Sequence, residues 1–317
     1  MRASLTTAGR PLPKPRNHVT RTMNAAGSIL RVACPAKINW FLNVGALRPD
    51  GYHHLCTVMQ MISLADELLI QPAHDGSITV EAAGAGCACT AEENLVTRAA
   101  RLLHERYRPR DGARITLTKR VPVAAGLGGG SSDAAAALRA LARLWELEIA
   151  HETMGELALA LGADVPFFLG TPAATCCGIG ERLTPLAPRE YWLVLWNPGW
   201  PLSTRAVYHA FDAARRPQRD PARFAAAYAG GSVAAVAEAI WNNLAYAAEE
   251  CQPALTEMMA ATRRLGARAA WVSGSGPTVV SLCDDEGHAR ALAGALSASA
   301  APDAFVHVCH TLTEVPE

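Results

Sequence analysis

The alternation of apolar and polar positions becomes regular at Val32. Across Ala36-Lys37-Ile38-Asn39-Trp40-Phe41-Leu42-Asn43-Val44, one set of alternate positions holds Ala36, Ile38, Trp40, Leu42 and Val44, and the other holds Lys37, Asn39, Phe41 and Asn43. A period of two predicts a strand with one face in the core and the other turned to a cleft. Pro49-Asp50-Gly51 supplies turn residues, and Tyr52-His53-His54 leads into an apolar run to Ile70. Helical spacing predicts helices from Glu92 to Tyr107, Ser131 to Trp145, Met154 to Leu161 with Gly162 as its stop, Val233 to Glu250 and Pro253 to Leu265. Strands are predicted from Arg114 to Val123 and Leu193 to Trp196, with a strand-turn-strand from Ala269 to Leu282. Arg215 to Arg223, rich in Arg, Pro, Gln and Asp, reads as an exposed loop. Strands and helices alternate without a steady βαβ cadence, which predicts an α+β fold of two lobes. The Thr-Pro and Gly-rich composition near residues 171–185 marks the expected division, giving a first lobe over 31–174 and a second over 175–317.

Composition narrows the classes. Of 317 residues, half are apolar and 18% charged, which suits a packed core. Formal net charge is zero, so no global field holds a nucleic acid or an anionic membrane surface. No run of about eighteen apolar residues predicts a spanning helix. Nine scattered cysteines fit free thiols in a reducing, cytoplasmic compartment. Cys87 with Cys89, and Cys176 with Cys177, lack a second pair at zinc-ligand spacing, so no metal-ligating set is picked out. Residues 1–30 contain no Asp or Glu but carry Arg2, Arg10, Lys14, Arg16 and Arg21, and read as a flexible basic tail.

The strongest local signal is Pro122-Val123-Ala124-Ala125-Gly126-Leu127-Gly128-Gly129-Gly130-Ser131-Ser132, placed between a predicted strand and a predicted helix. Glycines let a backbone approach a ligand closely, and the helix start adds inward N–H groups and a positive dipole end, so the segment suits phosphates. It is neither a Walker A loop nor a dinucleotide fingerprint, and the HRD and DFG segments of protein kinases are absent. Its bland reading is a helix-entry loop capped by Ser131 or Ser132. Asp133 reads as a charge complementing the helix dipole.

Together, Pro35-Ala36-Lys37-Ile38-Asn39, Asp50-Gly51-Tyr52-His53, the glycine loop, Leu161-Gly162-Ala163-Asp164-Val165-Pro166 and Ser273-Gly274-Ser275-Gly276 resemble the kinase family of galactokinase, homoserine kinase, mevalonate kinase and phosphomevalonate kinase, the GHMP kinases. Ala124 and Ala125 depart from the glycines common there. The resemblance implies a ribosomal-protein-S5-like first lobe, a ferredoxin-like second lobe, ATP and Mg²⁺ as cofactors, and a monomer or weak homodimer. The three more particular motifs imply a cytidine-diphosphate-linked polyol as substrate, phosphorylated on its 2-hydroxyl in the non-mevalonate isoprenoid route. Another kinase of the family, acting on homoserine, mevalonate or a sugar, and a non-catalytic nucleotide-sensing relative are the alternatives.

An alkyl hydroxyl needs a carboxylate beside it and a cation shared with the transferring phosphate. By the resemblance, Asp164 accepts the hydroxyl proton and Lys37 orients the nucleophile and spreads phosphoryl charge. The loop from Pro122 to Ser132 binds the nucleotide phosphates. Asn39, Tyr52, His53 and Tyr208 bind substrate, the two tyrosines sandwiching the base and His53 hydrogen-bonding it.

Overall fold

The structure, a computed structural model, describes residues 20–24, 27–84, 94–214 and 216–316. Its elements run β1 (Thr20–Asn24), β2 (Gly27–Leu47), β3 (His53–Ala73), β4 (Ile78–Gly84), α1 (Leu95–Tyr107), β5 (Gly112–Lys119), α2 (Gly129–Leu144), α3 (His151–Leu161), β6 (Ala173–Gly178) and β7 (Arg182–Pro185). They continue with β8 (Trp192–Asn197), α4 (Thr204–Asp212), α5 (Pro221–Gly230), α6 (Val233–Ala239), β9 (Trp241–Asn242), α7 (Ala245–Cys251), α8 (Ala254–Arg264), β10 (Ala269–Val272), β11 (Val279–Cys283), α9 (Glu286–Ser299) and β12 (Phe305–His310).

The first sheet has the order β1-β2-β3-β5-β4, with β6 and β7 continuing from the other half of β3 and β9 parallel to β2. The second is antiparallel, ordered β10-β11-β8-β12. Helices join β8 to β10 and α9 joins β11 to β12, the split βαβ arrangement of a ferredoxin-like lobe. The fold is the expected α+β pair of lobes.

Each lobe is built on patterned burial. Ala134 to Ala137, Leu138 and Leu141 are buried, so α2 packs closely against Leu30, Val32, Met59, Met61, Leu68 and Ile70 of the first sheet. Small side chains permit that approach, and the aliphatic residues supply the buried area. Between the sheets, Trp40, Phe41 and Ile62 meet Leu193, Leu195, Trp271 and Leu282. Trp40 stacks on Trp271 at 5.3 Å and meets Tyr191 edge-on at 5.3 Å. The lobes therefore share a core, which fixes the walls of the cleft beside it.

Several expectations are corrected. The Ala36–Val44 segment does not have one core face and one cleft face: Phe41 joins the inter-sheet core, and Asn43 is buried, bonding the Arg219 carbonyl and the Trp241 indole. Register shifts between Pro35 and Lys37, and again between Asn39 and Phe41, interrupt the period of two. Pro35 has no N–H for the ladder, and Lys37 gives its own to the Leu127 carbonyl at 2.8 Å, which ties the strand to the glycine loop.

The predicted strand to Val123 stops at Lys119, because the Arg120 and Val121 amides donate to Asp66 at 2.6 and 2.8 Å. The helix predicted from Val233 to Glu250 is broken by β9. There Asn242 donates to the Val272 and Gly274 carbonyls, and Asn243 bonds both backbone groups of Val44. These side chains take the place of ladder partners, a competition with helix typical of Asn. A boundary at 174/175 would cut β6, which pairs with β3 and β7 in the first sheet. Of the expected tail, Thr20–Asn24 pairs antiparallel with β2, while residues 1–19 lie outside the described residues. Glu92, Cys87, Cys89 and Arg215 also lie outside them. No described helix is long and apolar enough to cross a membrane.

Candidate active site

A cleft of about 1050 Å³ lies between the lobes. β2 contributes Lys37 and Asn39, the turn after α3 contributes Asp164, the β2–β3 connection contributes Tyr52, the start of β3 contributes His53, and α4 contributes Tyr208. The glycine loop and the 274–275 turn form another wall. Residues far apart in sequence thus converge on one cavity.

Lys37 is almost fully buried, and its ammonium lies 2.7 Å from Asn39 Oδ1 and 3.5 Å from Asp164 Oδ2. Asn39 is itself fixed, donating from Nδ2 to Thr57 Oγ1 at 2.9 Å, while Thr57 donates to the Phe41 carbonyl at 2.7 Å. A short relay of neutral groups therefore aims the lysine, and the Asp164 side chain keeps 40% of its surface open toward the cavity. Expected as a substrate contact, Asn39 spends both ends of its amide on Lys37 and Thr57.

The glycine loop is clamped from the other lobe. Ser273 Oγ donates to the Gly126 carbonyl at 3.0 Å and accepts from the Asn39 amide at 3.3 Å. Gly126 and Gly128 have φ of +76° and +68°. A Cβ on Gly126 would collide with the Ser273 carbonyl, and one on Gly128 would lie 3.0 Å from the Lys37 side chain. Pro122 to Gly126 and Gly128 to Ser131 line the cleft. Leu127 and Ser132 do not: Leu127 is buried in the inter-sheet core and offers only its carbonyl to Lys37, and Ser132 is buried inside α2.

At the far end, Tyr52 is exposed on the rim, while Tyr208 is partly buried with its ring 5.3 Å from that of His53. Burial pushes the Tyr208 phenol up to about 12, with the charge of Asp164 adding to it, so the ring presents an un-ionised hydroxyl. His53 is buried, with Nδ1 2.9 Å from the Gly45 carbonyl and Nε2 3.3 Å from Asp212 Oδ1.

Residue-by-residue reading missed a second lysine–carboxylate cluster beneath the loop. Lys119 bonds Asp66 and Asp133, the latter at 2.8 Å, and both carboxylates are buried. Asp133 is therefore an internal ion-pair member and not the surface dipole charge expected of it. Burial pushes its carboxyl up to about 7; the neighbouring Asp66 charge adds to this and Lys119 opposes it. Burial alone would lower the Lys119 pKa, but the two carboxylates overcome that and hold it high. The available signal was the conjunction of Asp66, Lys119 and Asp133 around one strand end, which only pairing of β3 with β5 reveals.

This fold and its glycine-lined cleft define the class of the GHMP kinases. The model of the GHMP kinases N terminal domain matches residues 94–171, and that of the GHMP kinases C terminal domain matches 225–302. The 4-diphosphocytidyl-2-C-methyl-D-erythritol kinase of Nocardia farcinica is 40% identical over 87% of this chain and 92% of that protein, and its counterpart from Kineococcus radiotolerans is 41% identical over 90% and 88%. A crystal structure of 4-(cytidine 5'-diphospho)-2C-methyl-D-erythritol kinase superposes with a TM-score of 0.73 at 38% identity, covering 88% of this chain and 98% of that one. Homoserine kinase from Cytophaga hutchinsonii, at 17% identity and a TM-score of 0.66 over 95% and 99%, shares the fold. The chain belongs to the 4-diphosphocytidyl-2-C-methyl-D-erythritol kinase family.

Proposed function

We propose that the protein uses ATP to phosphorylate the 2-hydroxyl of 4-diphosphocytidyl-2-C-methyl-D-erythritol, with Asp164 and Lys37 at the reacting centre. The observation that carries the reading is the 3.5 Å approach of the Lys37 ammonium to the Asp164 carboxylate inside the cleft lined by the glycine loop. Asp164 faces the cavity and takes the hydroxyl proton as the phosphorus–oxygen bond forms. Lys37, held by Asn39, faces the same point and balances charge on the transferring phosphoryl group. The glycine loop and the start of α2 hold the donor's phosphates. Tyr52, Tyr208 and His53 take the cytosine. A non-catalytic relative would have no need for a buried lysine aimed by a dedicated amide.

Mg²⁺ fits as an ion carried largely by phosphate oxygens. Among the described residues no group of three metal-ligating side chains exists, and Mg²⁺ ordinarily takes only one or two protein oxygens beside phosphates and water. The cleft-lining Ser131 hydroxyl at the start of α2 would be such a donor. When bound, the ion neutralises charge on the β- and γ-phosphates. The free thiols among the described residues support a cytoplasmic setting, and the family resemblance supports a monomer or weak homodimer.

An ADP-release assay with ATP and Mg²⁺ tests the reading against a panel of cytidyl, homoserine and mevalonate acceptors. Turnover is expected with the cytidyl acceptor alone. Asp164→Asn is expected to leave ATP binding nearly intact while lowering turnover by about 10²–10⁴. Full turnover in that variant removes the assigned base.

A further inference from the structure

We propose that Cys56 and Cys177 are a redox couple, which closes into a disulfide across the first sheet when a small-molecule disulfide oxidises it. The two residues stand directly opposite one another in the antiparallel ladder of β3 and β6. Opposed residues of such a ladder have Cα atoms about 4.5 or 5.5 Å apart, and both spacings fall within the roughly 4.4–6.8 Å found across disulfides. The bond therefore asks for little displacement of either strand.

Adjacency in the chain points to a different partner. Cys176 and Cys177 are neighbours, but successive residues of a strand turn to opposite faces: Cys176 is buried in the core of the first sheet, and Cys177 is half-buried. Among the described cysteines, Cys34, Cys176, Cys283 and Cys309 are buried, and only Cys56, Cys177 and Cys251 are partly open. Cys251, at the end of α7, turns its thiol to the Ala206 carbonyl. Burial pushes the Cys56 thiol up to about 11, and the charge and hydrogen bond of Cys177 add to it. The two sulfurs thus already face one another.

The exchange balances with the oxidant alone. One cysteine thiolate attacks the oxidant's disulfide and displaces the first thiolate, leaving a mixed disulfide; the other cysteine attacks the protein sulfur of that bond and displaces the second. The oxidant's S–S bond breaks, the Cys56–Cys177 bond forms, a pair of electrons passes to the oxidant, and the two thiol protons leave with its released thiols. In a reducing compartment such bonds are ordinarily transient and serve catalysis or redox sensing.

The couple sits where a crosslink bears on the cleft. Next to Cys56 on β3 is Thr57, which holds the Asn39 amide that aims Lys37. The Cys177 carbonyl accepts from the Gly180 amide at 3.1 Å, closing the turn whose Ile179 and Gly180 line the cleft. A Cβ on Gly180 would lie 3.5 Å from the Ala163 carbonyl, so this turn packs against the residue before Asp164. A bond between β3 and β6 at this level ties the support of Lys37 to that of Asp164. These two groups stand 3.5 Å apart and must part to admit an acceptor hydroxyl, so the crosslink slows turnover. That consequence, though not the bond itself, rests on the kinase reading above.

The full chain, purified reduced, is treated with glutathione disulfide, alkylated, digested and mapped by mass spectrometry, with the peptides holding Cys87 and Cys89 followed separately. A linked Cys56–Cys177 peptide is expected, removed by dithiothreitol and absent from Cys56→Ser and Cys177→Ser. The oxidised protein is expected to release ADP about tenfold more slowly in the acceptor assay and to recover on reduction, while Cys56→Ser turns over equally under both conditions. Absence of the linked peptide overturns the couple, as does linkage of Cys177 to another cysteine instead. Full linkage with unchanged turnover overturns its bearing on the cleft. A reduced protein that turns over no acceptor refutes the kinase reading, and the linked peptide then decides the couple by itself.

Discussion

Two lysine–aspartate clusters flank the glycine loop, and they are built to opposite ends. At Lys119 the ammonium faces two buried carboxylates, and Asp66 also takes the Arg120 and Val121 amides, so nearly every donor is answered from within the protein. At Lys37 the ammonium meets one amide oxygen at close range and a carboxylate 3.5 Å away that is open to the cavity. The first arrangement closes a strand end beneath the loop. The second leaves its charges incompletely matched, at the place proposed above for the meeting of phosphoryl group and hydroxyl. Chemistry needs that incompleteness, because a charge already satisfied gains little when a transition state forms.

The comparison breaks most sharply by removing one carboxylate from the closed cluster. Asp66→Ala strips Lys119 of a buried partner and two backbone amides of their acceptor, and is expected to cost about 3–5 kcal/mol of stability. Lys37→Met, which leaves a half-exposed Asp164 in contact with water, is expected to change stability by less than about 1 kcal/mol while abolishing most turnover. Urea denaturation of both variants measures the difference. Equal destabilisation would mean that the two clusters are structural alike.

Much of the Lys37–Asp164 cluster, proposed above as the reacting centre, was legible in the chain because it is carried by short motifs. Lys37 and Asp164 sit in contiguous signatures, and the glycine run advertises its backbone geometry through composition alone. The closed cluster was not legible. Its members are 53 and 14 residues apart along the chain and meet only through strand pairing, so no local motif marks Asp66 or Lys119, and Asp133 read only as a charge complementing the helix dipole. The same holds for Asn242 and Asn243, whose side chains replace backbone partners and break a segment that helical periodicity alone would continue. Local pattern specifies elements well where one face is buried. It fails where polar side chains satisfy distant backbone, as at Asp66 and β9.

A subtler probe of the closed cluster is its response to pH. Asp133 ionises at about 7 in the folded protein against an ordinary 3.8, so between these values the native state holds a proton that the unfolded chain has released. Stability from this group is full below about pH 4 and is lost as pH rises through about 7. Asp133→Asn removes the titration. The stability of the native protein minus that of the variant is therefore expected to fall from pH 4 to pH 8, as read by thermal or chemical unfolding at each pH. A flat difference would show that Asp133 stays ionised throughout and that Lys119 neutralises both carboxylates.

The smallest expected effect lies in the loop that separates the clusters. Ala124 has φ of +53°, a left-handed conformation in which a Cβ crowds its own backbone. That crowding costs about 1–2 kcal/mol, while glycine would add unfolded-state entropy worth about 0.5–1 kcal/mol. Ala124→Gly is therefore expected to stabilise the fold by about 0.5 kcal/mol, a small rise in the denaturation midpoint. Because the positive φ is shared with Gly126 and Gly128, whose close contacts to Ser273 and Lys37 leave no room for a side chain, the converse changes there should destabilise. A loss of stability in Ala124→Gly would mean that the methyl group's contacts outweigh its strain, and that the cradle tolerates a side chain at its mouth but not at its centre.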